Sequence, residues 1–198
     1  QDVDTLFRLA GLRGQVISTA DASMAAAFKG EGARNVLVWA DSDIALSSTY
    51  ERAFQTCSKP GSSLAVLSPD AGGDASARLR SLLTRYLRSG KPMPVDALIL
   101  DDFGVDTGFL TEELGRIRQK GTDEDIVLSK VVAPDMEIID PLDETTEACY
   151  RLLRRENRFT HNIAYPRARF YEVEESISGY PVLTGVSNRY MASEIGDF

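Results

Sequence analysis

What most constrains this chain is a succession of short Val-, Ile- and Leu-rich runs, each followed by a helical pattern. The runs are Gln15–Ser18, Asn35–Ala40, Ser63–Leu67, Val95–Leu100, Ile126–Leu128 with Val131–Val132, and Met136–Ile139. Most lack strict apolar–polar alternation, which is how strands covered on both faces read. Helical patterns fall between them, over Asp21–Lys29, Ser48–Cys57, Asp74–Ser89, Thr107–Lys120 and Asp143–Asn157. In the third, Leu79, Leu82, Leu83, Tyr86 and Leu87 form one stripe. Asp21 is the expected N-cap of the first. Strand then helix, repeated five times, predicts the α/β class: a parallel sheet flanked by helices on both faces, joined by right-handed crossovers. Such sheets bind ligands outside the carboxyl ends of their strands. Functional residues are therefore expected at Asp41–Asp43, Pro69–Asp74, Asp101–Gly104 and Ala133–Asp135.

With 198 residues, the chain can bury a sizeable core without metal or disulfide staples. Its net charge of -8 excludes broad binding to a phosphate backbone. Cys57 and Cys149 define no disulfide framework and no metal-ligand spacing, so both are expected as buried thiols in a reducing cytoplasm. No stretch reaches the roughly 18 apolar residues of a membrane span. Gln1–Leu12 carries Asp2 and Asp4 and has no apolar signal core. The chain begins without Met, as an excised fragment would. Residues 1–157 read as one α/β domain. Residues 158–198 read as a C-terminal extension packed on it, with one or two strands within His161–Val173 and no clear period after Ser176.

The main polar signal is a set of acids at strand ends: Asp41, Asp43, Asp70, Asp101 and Asp102. Carboxylates gathered at one rim can take hydroxyl-rich ligands, amines or a divalent cation. The competing expectation for any one of them is that it caps the following helix. Asp101-Asp102-Phe103-Gly104 is the sharpest segment, because two acids at the end of a buried strand cost desolvation unless paired. Phe103 offers a stacking face; the alternative is one capping Asp, one solvated Asp and a core Phe. Catalytic patterns are sparse. His161 is the single histidine, and no Gly-x-Ser-x-Gly, P-loop or Rossmann glycine pattern is present. Ala71-Gly72-Gly73-Asp74 can offer N–H groups to an anion, but Asp70 and Asp74 repel phosphate. Arg78, Arg80, Arg85 and Arg88 on one helix, and Arg151, Arg154, Arg155 and Arg158 on another, read as solvated faces.

The segment order resembles the lac repressor/galactose repressor family. Residues 82–127 place a helix, then Pro94-Val95-Asp96-Ala97-Leu98-Ile99-Leu100-Asp101-Asp102, a helix ending at Gly121, and Asp125-Ile126. Glu137-Ile138-Ile139-Asp140-Pro141-Leu142-Asp143-Glu144 is similar to that family's return strand and helix. The resemblance covers roughly residues 12–157. It implies a periplasmic-binding-protein-like fold, comprising the C-terminal lobe and part of the N-terminal lobe. It further implies a small polar or sugar-like effector, a homodimer, DNA contact only through a module outside this chain, no cofactor and no enzymatic activity. Asp101 matches the family's ligand-contacting acid or amide, and Tyr50 falls where the family carries an Arg. The expected ligand-binding set is Asp43, Tyr50, Asp70, Asp101 and Phe103. The alternatives are a receiver-like signalling domain, a metal-dependent α/β enzyme with an Asp-lined site, and a solute-binding transport protein.

Overall fold

The structure, a computed structural model, describes residues 16–30, 32–70, 72–90, 92–102, 104–157, 170–175 and 181–186. The chain divides into two compact units, Gln1–Asn157 and Arg158–Phe198. In the first, the described elements run α1 (Thr19–Ala27), β1 (Asn35–Ala40), α2 (Ser42–Leu46), α3 (Thr49–Cys57), β2 (Ser63–Leu67), α4 (Ala75–Arg88), β3 (Val95–Asp101), α5 (Thr107–Gln119), α6 (Asp123–Leu128), a 3-10 turn (Ser129–Val131), β4 (Val132–Ile139) and α7 (Pro141–Arg155). In the second, β5 (Phe170–Glu175) and β6 (Pro181–Val186) pair antiparallel.

β1 to β4 form one sheet in the order β2-β1-β3-β4, and every pair in it is parallel. Helices flank it on both faces, as the α/β reading expects; Rossmann-like and periplasmic-binding-protein-like domains share this architecture. Side chains alternate along each strand, so each strand feeds two cores. Leu37, Trp39, Leu98 and Leu100 join the α4 stripe and Leu110, Leu114 and Ile117 of α5 on one face. Val36, Val38, Ala40, Ala97 and Ile99 join α1 and α3 on the other, with Met24, Tyr50 and Ala53. α7 packs on α1. Burial on both faces explains the near-continuous apolar runs of β1 and β3.

A four-way ion cluster ties α4, α5 and α6 together. Arg80 reaches Glu113 at 2.7 Å, Asp125 at 2.8 Å and Glu124 at 2.9 Å, and Arg116 also pairs with Glu113. The α4 arginines are thus not one solvated face. Burial opposes the charge of Arg80, but its hydrogen bonds to Asp125 and Glu113 outweigh this and raise its proton affinity. Burial likewise pushes Glu113 up, yet hydrogen bonds from Ser76 and Arg80 leave it below the usual carboxylate range. Thr122 and then Arg80 hold Asp125 low as well.

Several expectations need correction. Ile126–Leu128 is helical, because Thr122 and Asp125 form a reciprocal capping box that starts α6. A three-residue apolar run cannot override that start signal. β4 therefore begins at Val132, and Ala133–Asp135 lie at its entry rather than at its exit, which is Asp140. The described parallel strands number four, not five. Ser18, not Asp21, caps α1, through a hydrogen bond to the Asp21 amide at 3.2 Å. α2 was not anticipated. β6 lies in the stretch that showed no period. Both cysteines are free and half-buried rather than enclosed. His161 lies outside the described residues.

Candidate functional site

The strand order reverses between β1 and β3. β1 leads through α2 and α3 to β2 on one side, and β2 crosses back through α4 to β3 on the other. A reversal of this kind opens a crevice at the carboxyl rim. Ala40 and Asp101 are register partners there, so Asp41 and the Asp101–Asp102 pair leave the sheet side by side.

The acid pair is divided by strand alternation. Asp101 follows Ala97 and Ile99 toward the α1/α3 face and accepts a hydrogen bond from Tyr50 Oη at 2.9 Å. Asp102 turns the other way and pairs with Arg78 of α4. The Arg78 guanidinium carbon also sits 5.1 Å from the centre of the Trp39 ring, within cation–π range. Each acid thus has its own partner, which reduces the desolvation cost of placing both at one strand end.

Electrostatics set Asp101 apart. Burial is the largest influence raising its carboxyl above the ordinary aspartate value; Asp41 and Asp102 raise it further, against the opposing Tyr50 hydrogen bond. Tyr50 is 1% exposed. Burial first, and the Asp101 charge second, push its phenol well above the usual range, so it stays protonated and remains the donor. Asp101 Oδ1 makes no hydrogen bond among the described residues.

Beside this pair lies an open cleft of about 500 Å³, lined by Asp41–Asp43, Ser68–Asp70, Gly72, Gly73 and Arg78. Of the expected ligand-binding set, Asp43 and Asp70 line it. Tyr50 and Asp101 stand together just outside its lining, and Phe103 lies outside the described residues. Capping accounts for other rim acids: Asp74, Asp106 and Asp140 each accept an amide of the helix they start. Asp41 precedes α2 but makes no such bond with its side chain. Asp70 accepts the Ser81 hydroxyl and lies 3.5 Å from Arg85. Among the described residues, no group of three or more His, Cys, Asp or Glu is arranged to hold a metal ion. Sequence reasoning missed Arg78. Its signal was available, since it sits one residue before Leu79 at the rim end of a helix that packs on Trp39.

No family model and no curated protein matches this chain. Among solved structures it is similar to the glutamate racemase isoform RacE1 from Bacillus anthracis, at 20% identity and a TM-score of 0.51. The match covers 80% of this chain and 56% of that one, so the chain spans little more than half the racemase's length. No helix among the described residues is long and apolar enough to cross a membrane. The expectation of a repressor-type sensing domain without enzymatic activity is corrected accordingly, and its receiver-like and metal-enzyme alternatives gain no support. This solved structure is an enzyme's. At this identity, the likeness shows that the chain shares the racemase's α/β fold.

Proposed function

We propose that the first unit is an enzyme domain that moves a proton on a small, amine-bearing substrate at the crevice between β1 and β3. The observation that carries this reading is the Tyr50–Asp101 hydrogen bond at 2.9 Å, with Asp101 half-buried and its carboxyl raised. A general acid–base needs a proton affinity moved toward the working pH and a fixed orientation. Burial supplies the first and Tyr50 the second. Asp101 is the catalytic residue of the proposal, with Oδ1 toward substrate, and Tyr50 is its positioning residue.

Asp41 and Asp43 suit the substrate's ammonium group, since carboxylates accept hydrogen bonds and attract positive charge. With the amine held there, the carbon beside it is the natural site of proton abstraction by Asp101. The racemase likeness supports an enzymatic reading and leaves the substrate open. A homodimer and a cytoplasmic location remain part of the proposal, the latter resting on the two free thiols.

The test is isotope exchange. The protein is incubated in deuterium oxide with a panel of small primary amines and free amino acids, and carbon-bound deuterium is measured by mass spectrometry. Exchange into at least one compound is expected, reduced about 100-fold or more in Asp101→Asn. Absence of exchange across the panel, or full exchange in the variant, overturns the reading.

A further inference from the structure

The cleft holds one feature that the proton-transfer reading does not use: the way Arg78 is mounted. Its Nη2 is bound to Asp102 Oδ2, and its guanidinium carbon lies 5.1 Å from the centre of the Trp39 ring. Trp39 is fully buried in the sheet, so this support is rigid. A guanidinium has five N–H donors in a fixed fork. Among the described residues the Arg78 guanidinium donates only one hydrogen bond, the one to Asp102, and Nε and Nη1 have no partner there. The side chain lines the cleft and is 26% exposed. An arginine fixed in orientation at one nitrogen and one face, with other donors unspent, is organised to receive a carboxylate.

The rest of the lining decides which carboxylate. Asp41, Asp43 and Asp70 face the same cleft. They repel a ligand whose net charge is strongly negative, such as a phosphate monoester. A ligand with an ammonium a few ångströms from its carboxylate satisfies both halves of the cleft at once. We infer that the cleft between Arg78 and Asp41–Asp43 binds a zwitterionic amino acid, with its carboxylate on the free N–H groups of Arg78 and its ammonium on the acids after β1. This deepens the proton-transfer reading by naming its substrate class, and it rests on that reading only for the placement of the site.

The test is binding, not turnover. The free amino acids, in L and D forms, are titrated into the isotopically labelled protein at millimolar concentration. The Arg78 Nε–H and the Ser42 and Asp43 amides are followed by NMR. Ethylamine and propionate serve as single-charge probes. At least one amino acid should saturate and shift all three signals, with both single-charge probes binding about tenfold or more weaker. The double variant R78Q/D102N removes both partners together and leaves no orphaned charge; it should weaken the amino acid about tenfold. Should it fail to fold, R78K keeps the charge but loses the fork, and the same loss is expected. No saturating amino acid, propionate binding as tightly as the amino acid, or unchanged affinity in the folded variant overturns the inference. An amino acid that binds through Arg78 but exchanges no deuterium supports this assignment and overturns the proton-transfer reading.

Discussion

Tyr50 and Asp101 are 51 residues apart in sequence and meet at 2.9 Å, the phenol of α3 donating to the carboxylate that ends β3. Tyr50 is fully enclosed while Asp101 is half-exposed, so the bond points from the core toward the rim. The hydrogen bond favours the ionised carboxyl and partly offsets burial and the nearby charges of Asp41 and Asp102.

Tyr50→Phe removes that donor and keeps the ring. The proton affinity of Asp101 should then rise further above the ordinary aspartate value, because burial and the two neighbouring acids are no longer opposed. The acid limb of any activity profile should move to higher pH. Stability should fall by about 1 kcal/mol, the usual net worth of one hydrogen bond. A carbon-13 NMR titration of Asp101 in both proteins checks the direction, and an unchanged midpoint contradicts it.

Asp101→Asn should leave stability at neutral pH within about 1 kcal/mol of the parent, or above it, while abolishing proton transfer. The sign follows from linkage. An acid whose folded value lies above its unfolded value binds more protons in the folded state, so its contribution to stability falls as pH rises between the two. Asn can still accept the Tyr50 hydrogen bond and carries no charge, so that slope should vanish. Thermal unfolding across the mildly acidic range reads it directly.

Arg80→Met should destabilise the domain by about 3 kcal/mol, because Glu113 is buried and a carboxylate stripped of its guanidinium is costly. Glu113 and Asp125 have folded values below their unfolded ones. Their contribution is therefore fully present above the ordinary carboxylate values and is lost as pH falls through the folded values. The acid limb of the parent's stability curve should be steeper than the variant's. Urea unfolding at neutral and acidic pH measures both effects, and parallel curves would contradict the ion-cluster account.

Gly73→Ala should cost at least about 1 kcal/mol and weaken any ligand of the cleft. Its φ is +81°, and a Cβ there would stand 2.8 Å from Ala77 Cβ in the first turn of α4. Gly72→Ala is the control: its φ is also positive, but a Cβ there meets nothing within 4 Å. A larger drop in unfolding temperature for Gly73→Ala than for Gly72→Ala is the expected result.

Much of the sheet was legible because two-sided burial leaves a strong local trace. Asn35–Ala40, Ser63–Leu67 and Val95–Leu100 are apolar enough to be recognised alone. The register of β4 was not, because Ile126–Leu128 looks like a strand until the Thr122–Asp125 capping box is counted. Asp101 was legible as a rim acid, since β3 ends at it. Its partnership with Tyr50 on a helix from another crossover was not, because no spacing in the chain encodes a contact over 51 residues. Arg78 was read as one of a charged series, although α4 presents it, Arg80 and Arg85 to three different environments.

The sequence alone determined the α/β class, the parallel direction of the strands and the clustering of acids at their exits. Apolar runs, helix stop signals and strand-terminal aspartates are local features, and local features survive in one dimension. Only the tertiary structure decided which acid does what. The pleat sends Asp101 to one face and Asp102 to the other, and the strand order brings Asp41 beside them. Partner choice among like residues is set by distance in space, because desolvation and charge–charge interaction depend on that distance and not on position along the chain.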